Sequence, residues 1–238
     1  MSLEVNNVYL GDCLEKMKEI DDKSIDLICV DLPFATTNAS WDRMIPLNEL
    51  WVQYERILKD RKPIVLFAAQ PFTSKLIVSN PNWYKYSWIW KKNKSTGFLN
   101  AKHQPLRNTE DIVVFSSGKT VYNPQMRKGK EHIRGGKSKN TGGEIYNNFS
   151  NRTETVSDEY YPETVLEFNS ESKPVHPTQK PIALMEYLIK TYSNEGDLIL
   201  DCCAGSGSTL VAAKNLNRRY IGVEKEENYY NICKERLK

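Results

Sequence analysis

A short alternation of elements near the C-terminus constrains the fold of this chain more than any other feature. Residues 197–201 (DLILD) predict a buried strand, and a glycine-containing turn (CCAGSGST) occupies residues 202–209. Residues 210–216 have the apolar spacing of a helix, and residues 219–224 (RYIGVE) predict a second strand that ends in an acid. This succession is the opening unit of a doubly wound parallel sheet. The 238 residues are enough for one such α/β domain, or for one domain that carries an insertion.

The turn and the terminal acid of this unit predict a ligand that contains a ribose. Gly205 and Gly207 allow the backbone to approach a ligand closely, and Glu224 has the position of an acid that hydrogen-bonds ribose hydroxyls. A triphosphate-binding loop would need a lysine after the glycines, and a dinucleotide site would need a third glycine. S-adenosylmethionine has a ribose and an adenine but no phosphate, so it fits these residues best. A tight turn that binds nothing is the alternative for this segment alone.

Another strand, near the N-terminus, ends in a reactive group of side chains. Residues 25–30 (IDLICV) are mostly apolar, and Asp31, Leu32, Pro33 and Phe34 follow them. The carboxyl end of such a strand is where open α/β sheets bind ligands. A carboxylate acceptor beside a flat aromatic ring suits chemistry on a planar amine such as a nucleobase. An ordinary Asp-x-Pro turn is the alternative.

Composition favours a soluble globular protein of a reducing compartment. Apolar residues make up 39% of the chain and charged residues 26%, and no apolar run approaches the length of a membrane span. The N-terminus lacks the basic and apolar regions of a signal peptide, so we expect a cytoplasmic location and no membrane partner. The five cysteines are odd in number and show no metal-ligand spacing, which argues against a disulfide framework and predicts no metal site.

Three motifs together resemble those of the DNA amino-methyltransferases. Residues 201–209 look like the family's S-adenosylmethionine-binding motif, usually Asp-Pro-Phe-x-Gly-Ser-Gly-Thr, and residues 31–34 resemble its catalytic motif, Asp/Ser/Asn-Pro-Pro-aromatic. Residues 176–181 (HPTQKP) resemble the motif that precedes the cofactor loop and lines the methionine pocket. The catalytic motif comes first, which is the circularly permuted order of the β group. The resemblance implies a doubly wound, mostly parallel α/β sheet of the S-adenosylmethionine-dependent methyltransferase type, circularly permuted, with an inserted recognition segment.

The resemblance also assigns roles to particular residues. It implies a catalytic turn of Asp31, Leu32, Pro33 and Phe34. It places the strand and turn predicted for residues 8–13 beside the adenine ring of the cofactor, where Asp12 is also expected to cap an amphipathic helix at residues 14–20. The implied contacts to S-adenosylmethionine come from both ends of the chain: Asp12, Cys13, Asp31, Thr178, Gln179, Lys180, Asp201, Cys203, Ala204, Gly205, Ser206, Gly207 and Glu224.

The catalytic turn suits methyl transfer to an exocyclic amine, whose lone pair is delocalised into the base. Asp31 can accept one N–H and the carbonyl of Leu32 the other, which stabilises the positive charge that develops on the nitrogen. Phe34 is expected to stack on a base that has left the duplex. Leu32 replaces the family's first proline but keeps the carbonyl, so we expect activity. In the family the aspartate favours N6 of adenine over N4 of cytosine, which stays an alternative.

A basic segment interrupts the predicted catalytic domain. Residues 119–139 contain seven positive side chains against Glu131 alone, together with several glycines, and residues 140–171 are mainly acidic. We interpret residues 119–173 as an inserted target-recognition segment, mobile and without a long element, between catalytic residues 1–118 and 174–238. A disordered loop with no recognition role is the alternative. Predicted DNA contacts lie in this segment and in a basic loop at residues 91–94: Lys91, Lys92, Lys94, Arg127, Lys128, Lys130, Arg134, Lys137 and Lys139.

Double-stranded DNA is the expected partner and S-adenosylmethionine the expected cofactor. The sequence leaves open whether the protein is a monomer or a homodimer, and whether a companion restriction enzyme accompanies it. Two other functions also stay open. The same fold can act on RNA or on a protein amide, and a nucleic-acid-binding protein can retain the fold without catalysis. The intact Asp31, Glu224 and glycine turn argue against the loss of catalysis.

Overall fold

The computed structural model describes residues 3–35, 42–136 and 152–238. The chain divides into two compact units, a large one of Met1–Asn123 with Thr164–Lys238 and a small one of Pro124–Glu163. Among the described residues, the large unit holds eight strands and six α-helices, and the small unit holds two strands.

The large unit is built on one sheet whose strands are mostly parallel. Across the sheet the strands are β1 (Asn7–Leu10), β10 (Arg219–Glu224), β9 (Leu198–Asp201), β2 (Leu27–Asp31), β3 (Ile64–Ala68), β5 (Arg107–Phe115), β4 (Tyr84–Thr96) and β8 (Val165–Glu167). The first five strands in this order are parallel, β5 is antiparallel to both of its neighbours, and β8 is parallel to β4. β1 pairs with β10, which joins the two ends of the chain in one sheet, as a permuted order requires.

Helices cover both faces of this sheet, because successive side chains of a strand point to opposite faces and both sets are apolar. One face packs against α1 (Cys13–Met17), α2 (Leu47–Ile57) and α3 (Phe72–Ser79). The other face packs against α4 (Ile182–Tyr192), α5 (Ser208–Asn215) and α6 (Glu227–Arg236). Within the described ranges, no helix has the length and apolar character needed to cross a membrane.

The chain changes direction across the sheet between β2 and β9. It leaves β2 through α2 towards β3, whereas it leaves β9 through α5 in the opposite direction, towards β10. Open α/β sheets bind ligands outside the carboxyl ends of the strands at such a switch point. Asp31 ends β2 and Asp201 ends β9, so both acids lie at this edge.

The predicted α/β class and the principal strands are confirmed, but two local predictions were wrong. Residues 91–94 belong to β4 rather than to a loop, because β4 continues to Thr96 and pairs with β5. The helix predicted for residues 14–20 is the five-residue α1, which Asp12 caps as expected. It ends early because Ile20 and Glu19 donate to carbonyls only three residues back, which tightens the chain into a turn.

The small unit is an antiparallel ribbon of β6 (Arg127–Gly136) and β7 (Arg152–Tyr160). The prediction that this segment lacks a long element was wrong, because β6 and β7 are strands of ten and nine residues that pair with each other. Gly129 lies within β6 at a register shift, and a Cβ at that position would come within 2.7 Å of the Tyr160 ring. The unit is narrower than the predicted residues 119–173, since β8 joins the large sheet.

Candidate active site

A cavity opens at the carboxyl ends of β2 and β9. Its wall joins three stretches that are far apart in sequence: the turn after β2, the turn after β9 and the segment that precedes α4. All four predicted catalytic residues line it, as do all the predicted cofactor residues except Gly207. The lining residues among these are Asp12, Cys13, Asp31, Leu32, Pro33, Phe34, Thr178, Gln179, Lys180, Asp201, Cys203, Ala204, Gly205, Ser206 and Glu224.

Asp31 belongs to a row of alternating charges in the cavity wall. Lys180 Nζ lies 2.5 Å from Asp31 Oδ2 and 3.3 Å from Glu110 Oε2, and its side chain is only 7% exposed. Lys92 pairs with the other oxygen of Glu110. Burial raises the pKa of Asp31, and the attraction of Lys180 opposes that rise. Burial alone would raise the pKa of Glu110, but Lys180 and Lys92 outweigh it and lower that pKa. Burial alone would lower the pKa of Lys180, but Asp31 and Glu110 outweigh it and raise that pKa.

The ring of Phe34 is supported from behind. It stacks on Phe72 at the start of α3, with a centroid separation of 5.3 Å and an interplanar angle of 24°. Ala35 then adopts a left-handed φ of 55°, and its N–H donates to Asp42 Oδ1 at 2.8 Å. Asp42 also lines the cavity, so this contact holds both ends of the loop that follows the catalytic turn. Most of that loop, residues 36–41, lies outside the described residues.

The turn after β9 is held by carboxylates that accept backbone N–H groups. Asp201 Oδ1 accepts from Cys203 at 3.1 Å. Glu224 Oε2 accepts from Gly205 at 2.6 Å, and its Oε1 accepts from Glu226 at 2.8 Å. Burial raises the pKa of Glu224 and raises that of Asp201 to about 7. The glycine turn is therefore shaped by the two acids that end β9 and β10.

Gly207 is the predicted cofactor residue that does not line the cavity. Its φ is 80°, and a Cβ there would come 2.4 Å from the sulfur of Cys233 on α6. Glycine is therefore required at this position both by the left-handed φ and by the close packing against α6. Gly205, with a φ of 53°, does face the cavity.

The segment before α4 contributes a histidine that the sequence motif contained but that was not predicted as a site residue. His176 lines the cavity, and its Nδ1 accepts the Thr178 N–H at 3.2 Å. Its ring meets that of Tyr229 edge to face, with centroids 4.0 Å apart. Burial and then Lys180 lower the pKa of His176 to about 4, so the ring is neutral at pH 7. Gln179 accepts the N–H of Val175 at 2.8 Å, which tightens the same turn.

On the adenine side predicted from the family, Asp12 has two partners. Its Oδ1 accepts the Leu14 N–H at 3.0 Å as the cap of α1, and its Oδ2 lies 3.2 Å from Lys225 Nζ. Cys13 follows it and meets Cys202 and Cys203. These two thiols donate to the Cys13 sulfur, which lowers the pKa of Cys13 to about 4.

The predicted DNA contacts of the large unit separate into exposed and internal lysines. Lys91 is exposed and lies 2.8 Å from Glu167, and Lys94 is exposed. The prediction that Lys92 contacts DNA is corrected, because its side chain is only 14% exposed and pairs with Glu110. Lys92 and Lys94 are two residues apart, yet only Lys92 is internal, and the pairing of β4 is irregular between Lys91 and Thr96. The run of lysines therefore does not show which side chain points inward.

In the small unit, acidic partners accompany several of the predicted contacts. Arg127 lies 2.7 Å from Glu163, and Lys128 lies 3.5 Å from Asp158. Lys130 is exposed, and the Arg134 guanidinium lies over the ring of Tyr161. The acidic strand therefore pairs directly with the basic one. The remaining two predicted contacts, Lys137 and Lys139, lie outside the described residues.

Glu110 and Phe72 are two further residues of the site that sequence reasoning missed. Glu110 lies on β5 and Phe72 on α3, and neither belongs to one of the three motifs. The place of Glu110 depends on β5 lying next to β3, and that of Phe72 depends on the packing of α3 against the turn after β2. No local pattern specifies either contact. In the sequence Glu110 is one of two adjacent acids that precede the apolar end of β5, and nothing local distinguishes it from Asp111.

Comparisons with known proteins agree with this geometry. The chain is similar to the Type II methyltransferase M.HpaI of Haemophilus parainfluenzae, with 27% identity over 95% of this chain and 72% of the relative. It is 27% identical to the Type II methyltransferase M1.MboII of Moraxella bovis over 96% of this chain and 95% of the relative.

Solved structures share the fold. The complex of M1.HpyAVI with S-adenosylmethionine superposes with a TM-score of 0.66 and 26% identity, over 97% of this chain and 98% of the other. The cytosine-N4-specific PvuII DNA methyltransferase gives a TM-score of 0.69 over 99% and 87% of the two chains, and at 15% identity it shows the fold alone.

The family assignment rests on a model of the N6/N4 enzymes that is described as DNA methylase. It matches residues 25–235, which include both turns of the cavity and the segment before α4. The chain therefore belongs to the DNA methylase family, the S-adenosylmethionine-dependent amino-methyltransferases that act on N6 of adenine or N4 of cytosine.

Proposed function

We propose that this protein methylates the N6 amine of an adenine that has left a DNA duplex. The observation that carries the proposal is one cavity in which Asp31 and Phe34 of the catalytic turn meet Glu224 and the Gly205 turn. The first pair suits an extruded base with an exocyclic amine, and the second suits a nucleoside cofactor. Neither pair alone distinguishes a methyltransferase from other proteins with a doubly wound sheet.

The charges of the cavity fit S-adenosylmethionine. Burial raises the pKa of Asp31, Asp201 and Glu224. A cationic ligand relieves this effect, because a nearby positive charge favours the ionised carboxylate. S-adenosylmethionine carries a sulfonium and an ammonium group, and when bound it supplies an electrophilic methyl group.

The residues that would hold the cofactor are those at the ends of β1, β9 and β10. Each carboxylate oxygen of Glu224 already accepts one backbone N–H and retains a lone pair for a ribose hydroxyl. A Cβ on Gly205 would come 3.7 Å from the His176 ring, so at this position the backbone itself forms the wall of the cavity. Asp12 and Cys13 would lie beside the adenine, as the family resemblance implies.

Asp31 would accept an N–H of the target amine and stabilise the positive charge that develops there. An acceptor fixed in advance lowers the barrier because nothing has to reorient during the reaction. Lys180 counteracts the effect of burial on Asp31 and so favours the ionised, accepting form. We therefore assign Lys180 to the positioning of Asp31, in addition to its place in the cofactor wall.

Phe34 would stack on the extruded base, and Phe72 would hold the Phe34 ring in place. A base that leaves the duplex loses its stacking, and an aromatic platform in the enzyme restores part of it. The contact with Phe72 restricts the orientation of the Phe34 ring before the base arrives. This arrangement does not discriminate adenine from cytosine; the adenine assignment rests on the family preference for aspartate at the position of Asp31.

We further propose that residues 119–173, with the ribbon at their centre, are the target-recognition segment. The exposed Lys130 of β6 supports a role of this segment in phosphate contact, since an exposed cation can exchange its counterion for a phosphate. Lys94 of β4 is also exposed and is proposed as a phosphate contact of the large unit. The relatives are named Type II methyltransferases, which supports double-stranded DNA as the partner.

Methyl transfer from isotopically labelled S-adenosylmethionine to unmethylated duplex DNA tests the proposal. Nucleoside mass spectrometry should find the label in N6-methyladenine. Label in N4-methylcytosine would refute the adenine assignment and leave the family intact. Label in RNA or protein, with none in DNA, would refute DNA as the substrate. Absence of label from all three, with cofactor binding retained, would favour a non-catalytic binding protein.

A further inference from the structure

Three cysteines with no metal-ligand spacing in the sequence meet in the cavity wall. Cys13 begins α1, and Cys202 and Cys203 follow β9. β1, β10 and β9 are parallel neighbours, so their carboxyl ends share one edge, and the three sulfur atoms lie within 4.8 Å of one another. Cys13 and Cys202 are buried, and Cys203 is partly exposed. The folded chain therefore assembles a thiol cluster that the sequence did not predict.

The separation of the three sulfur atoms suits a soft metal ion. A Zn–S bond is about 2.3 Å long, so thiolates that share one ion lie about 3.8–4.0 Å apart. Sulfur atoms already within 4.8 Å of one another reach that geometry by small side-chain movements. Thiolate ligands favour Zn²⁺ and Cu⁺ over harder cations. A disulfide, by contrast, would join only two of the three sulfur atoms.

Hydrogen bonds from neighbouring groups hold the cluster in place. Tyr54 Oη lies 3.1 Å from Cys202 Sγ, so this buried phenol can donate a hydrogen bond to the thiolate, as groups around metal ligands commonly do. The contact between Asp201 and the Cys203 N–H fixes the turn that carries two of the three sulfur atoms.

We propose that Cys13, Cys202 and Cys203 form a three-thiolate site for Zn²⁺, with a water molecule as the fourth ligand on the side of the cavity. Cys13 and Cys203 are themselves among the expected contacts to S-adenosylmethionine, and all three cysteines line the same cavity as Glu224 and Gly205. Bound Zn²⁺ and bound S-adenosylmethionine therefore exclude each other, a statement that rests on the proposed cofactor site. The metal acts as an inhibitor of methyl transfer and takes no part in it.

Titration of the reduced, metal-free protein with Cd²⁺ tests the site directly, because thiolate-to-Cd²⁺ charge transfer gives an ultraviolet absorbance that does not depend on activity. We expect the absorbance to saturate at one equivalent and Zn²⁺ to displace the Cd²⁺. Cys203→Ala should lose the saturable signal. Cys29→Ala, which removes a buried cysteine outside the cluster, should keep it. Tyr54→Phe should weaken Cd²⁺ binding by about tenfold.

Competition with S-adenosylhomocysteine tests the second half of the proposal. At 100 times its own Kd, S-adenosylhomocysteine should raise the apparent Kd for Cd²⁺ about 100-fold. No saturable signal in the wild-type protein, or an equal signal in folded Cys203→Ala, overturns the metal site. Unchanged Cd²⁺ affinity with the cofactor product bound overturns mutual exclusion. Failure of S-adenosylhomocysteine to bind the metal-free protein contradicts the proposed function instead. Thermal unfolding establishes that each variant is folded.

Discussion

Asp31 and Asp201 occupy equivalent places at the ends of two neighbouring parallel strands, yet their surroundings differ. Asp31 is partly exposed and has a cation, Lys180, 2.5 Å away. Asp201 is 3% exposed, and its partners are a backbone N–H and the hydroxyl of Thr209. Burial raises the pKa of both, and it carries that of Asp201 to about 7.

This difference separates two uses of one residue type. In its proposed role, Asp31 accepts a hydrogen bond from the substrate and therefore has to remain ionised, and the internal Lys180 next to it favours the ionised form. A carboxylate that shapes a backbone turn needs only hydrogen-bond donors. The catalytic turn therefore depends on a long-range ion pair, whereas the cofactor turn depends mainly on local hydrogen bonds.

The largest expected effect is at Asp31. Asp31→Ala removes the proposed acceptor and should lower the rate of methyl transfer at least about 10²–10³-fold, because the charge on the amine is then unopposed. Binding of S-adenosylhomocysteine, measured by calorimetry, should persist. Asp31→Asn keeps one acceptor oxygen and should retain more activity than the alanine variant. Preserved turnover in Asp31→Ala would refute the catalytic role.

The next effect tests whether Lys180 serves Asp31. Lys180→Met leaves two acids, Asp31 and Glu110, facing each other without their shared cation, which should lower the free energy of unfolding by on the order of 3 kcal/mol. The pKa of Asp31 should rise. Because the protonated acid is the inactive form, the acid limb of the kcat/KM profile should move to higher pH. Adding Glu110→Gln should move it part of the way back; an unshifted profile in Lys180→Met contradicts the pairing.

Asp201 should affect the pH dependence of stability. Burial raises its pKa in the folded protein to about 7 from the ordinary value of 3.8, so the folded state holds the proton more tightly. The stability that Asp201 contributes is present at low pH and is lost as the pH rises towards 7, by up to about 1.4 kcal/mol per pH unit. Asp201→Asn should flatten the dependence of the unfolding free energy on pH between pH 3.8 and about pH 7, as measured by urea unfolding. An unchanged slope would show that Asp201 is ionised throughout.

The smallest expected effect distinguishes internal from surface lysines. Lys130→Gln should reduce the slope of log Kd for DNA against log salt by about 0.9, the contribution of one phosphate contact. Lys92→Gln should leave that slope unchanged and instead lower stability, because Lys92 pairs with Glu110. Fluorescence anisotropy across a range of salt concentrations gives the slopes. Equal slopes for both variants and the wild type would show that Lys130 makes no phosphate contact.

Predictions from the sequence succeeded where the chemistry is local. The turns at Asp31 and at Gly205 are contiguous motifs, and each follows an apolar strand, so both their existence and their place at a strand end followed from sequence. Lys92 was assigned wrongly, because a run of lysines does not show which side chain points inward. Gly207 does not line the cavity, and its φ and its packing against α6 already require glycine there; its predicted contact with the cofactor stays a prediction.

The sequence by itself determined the α/β class, the family and the two turns that form the site, because short-range patterns of apolar residues, glycines and acids are enough to specify them. Only the tertiary structure decided the partners of those turns. The order of the strands brings Glu110 and Lys180 to Asp31, and it brings Cys13 to Cys202 and Cys203. Contacts between strands distant in sequence depend on sheet topology, which a local pattern does not contain.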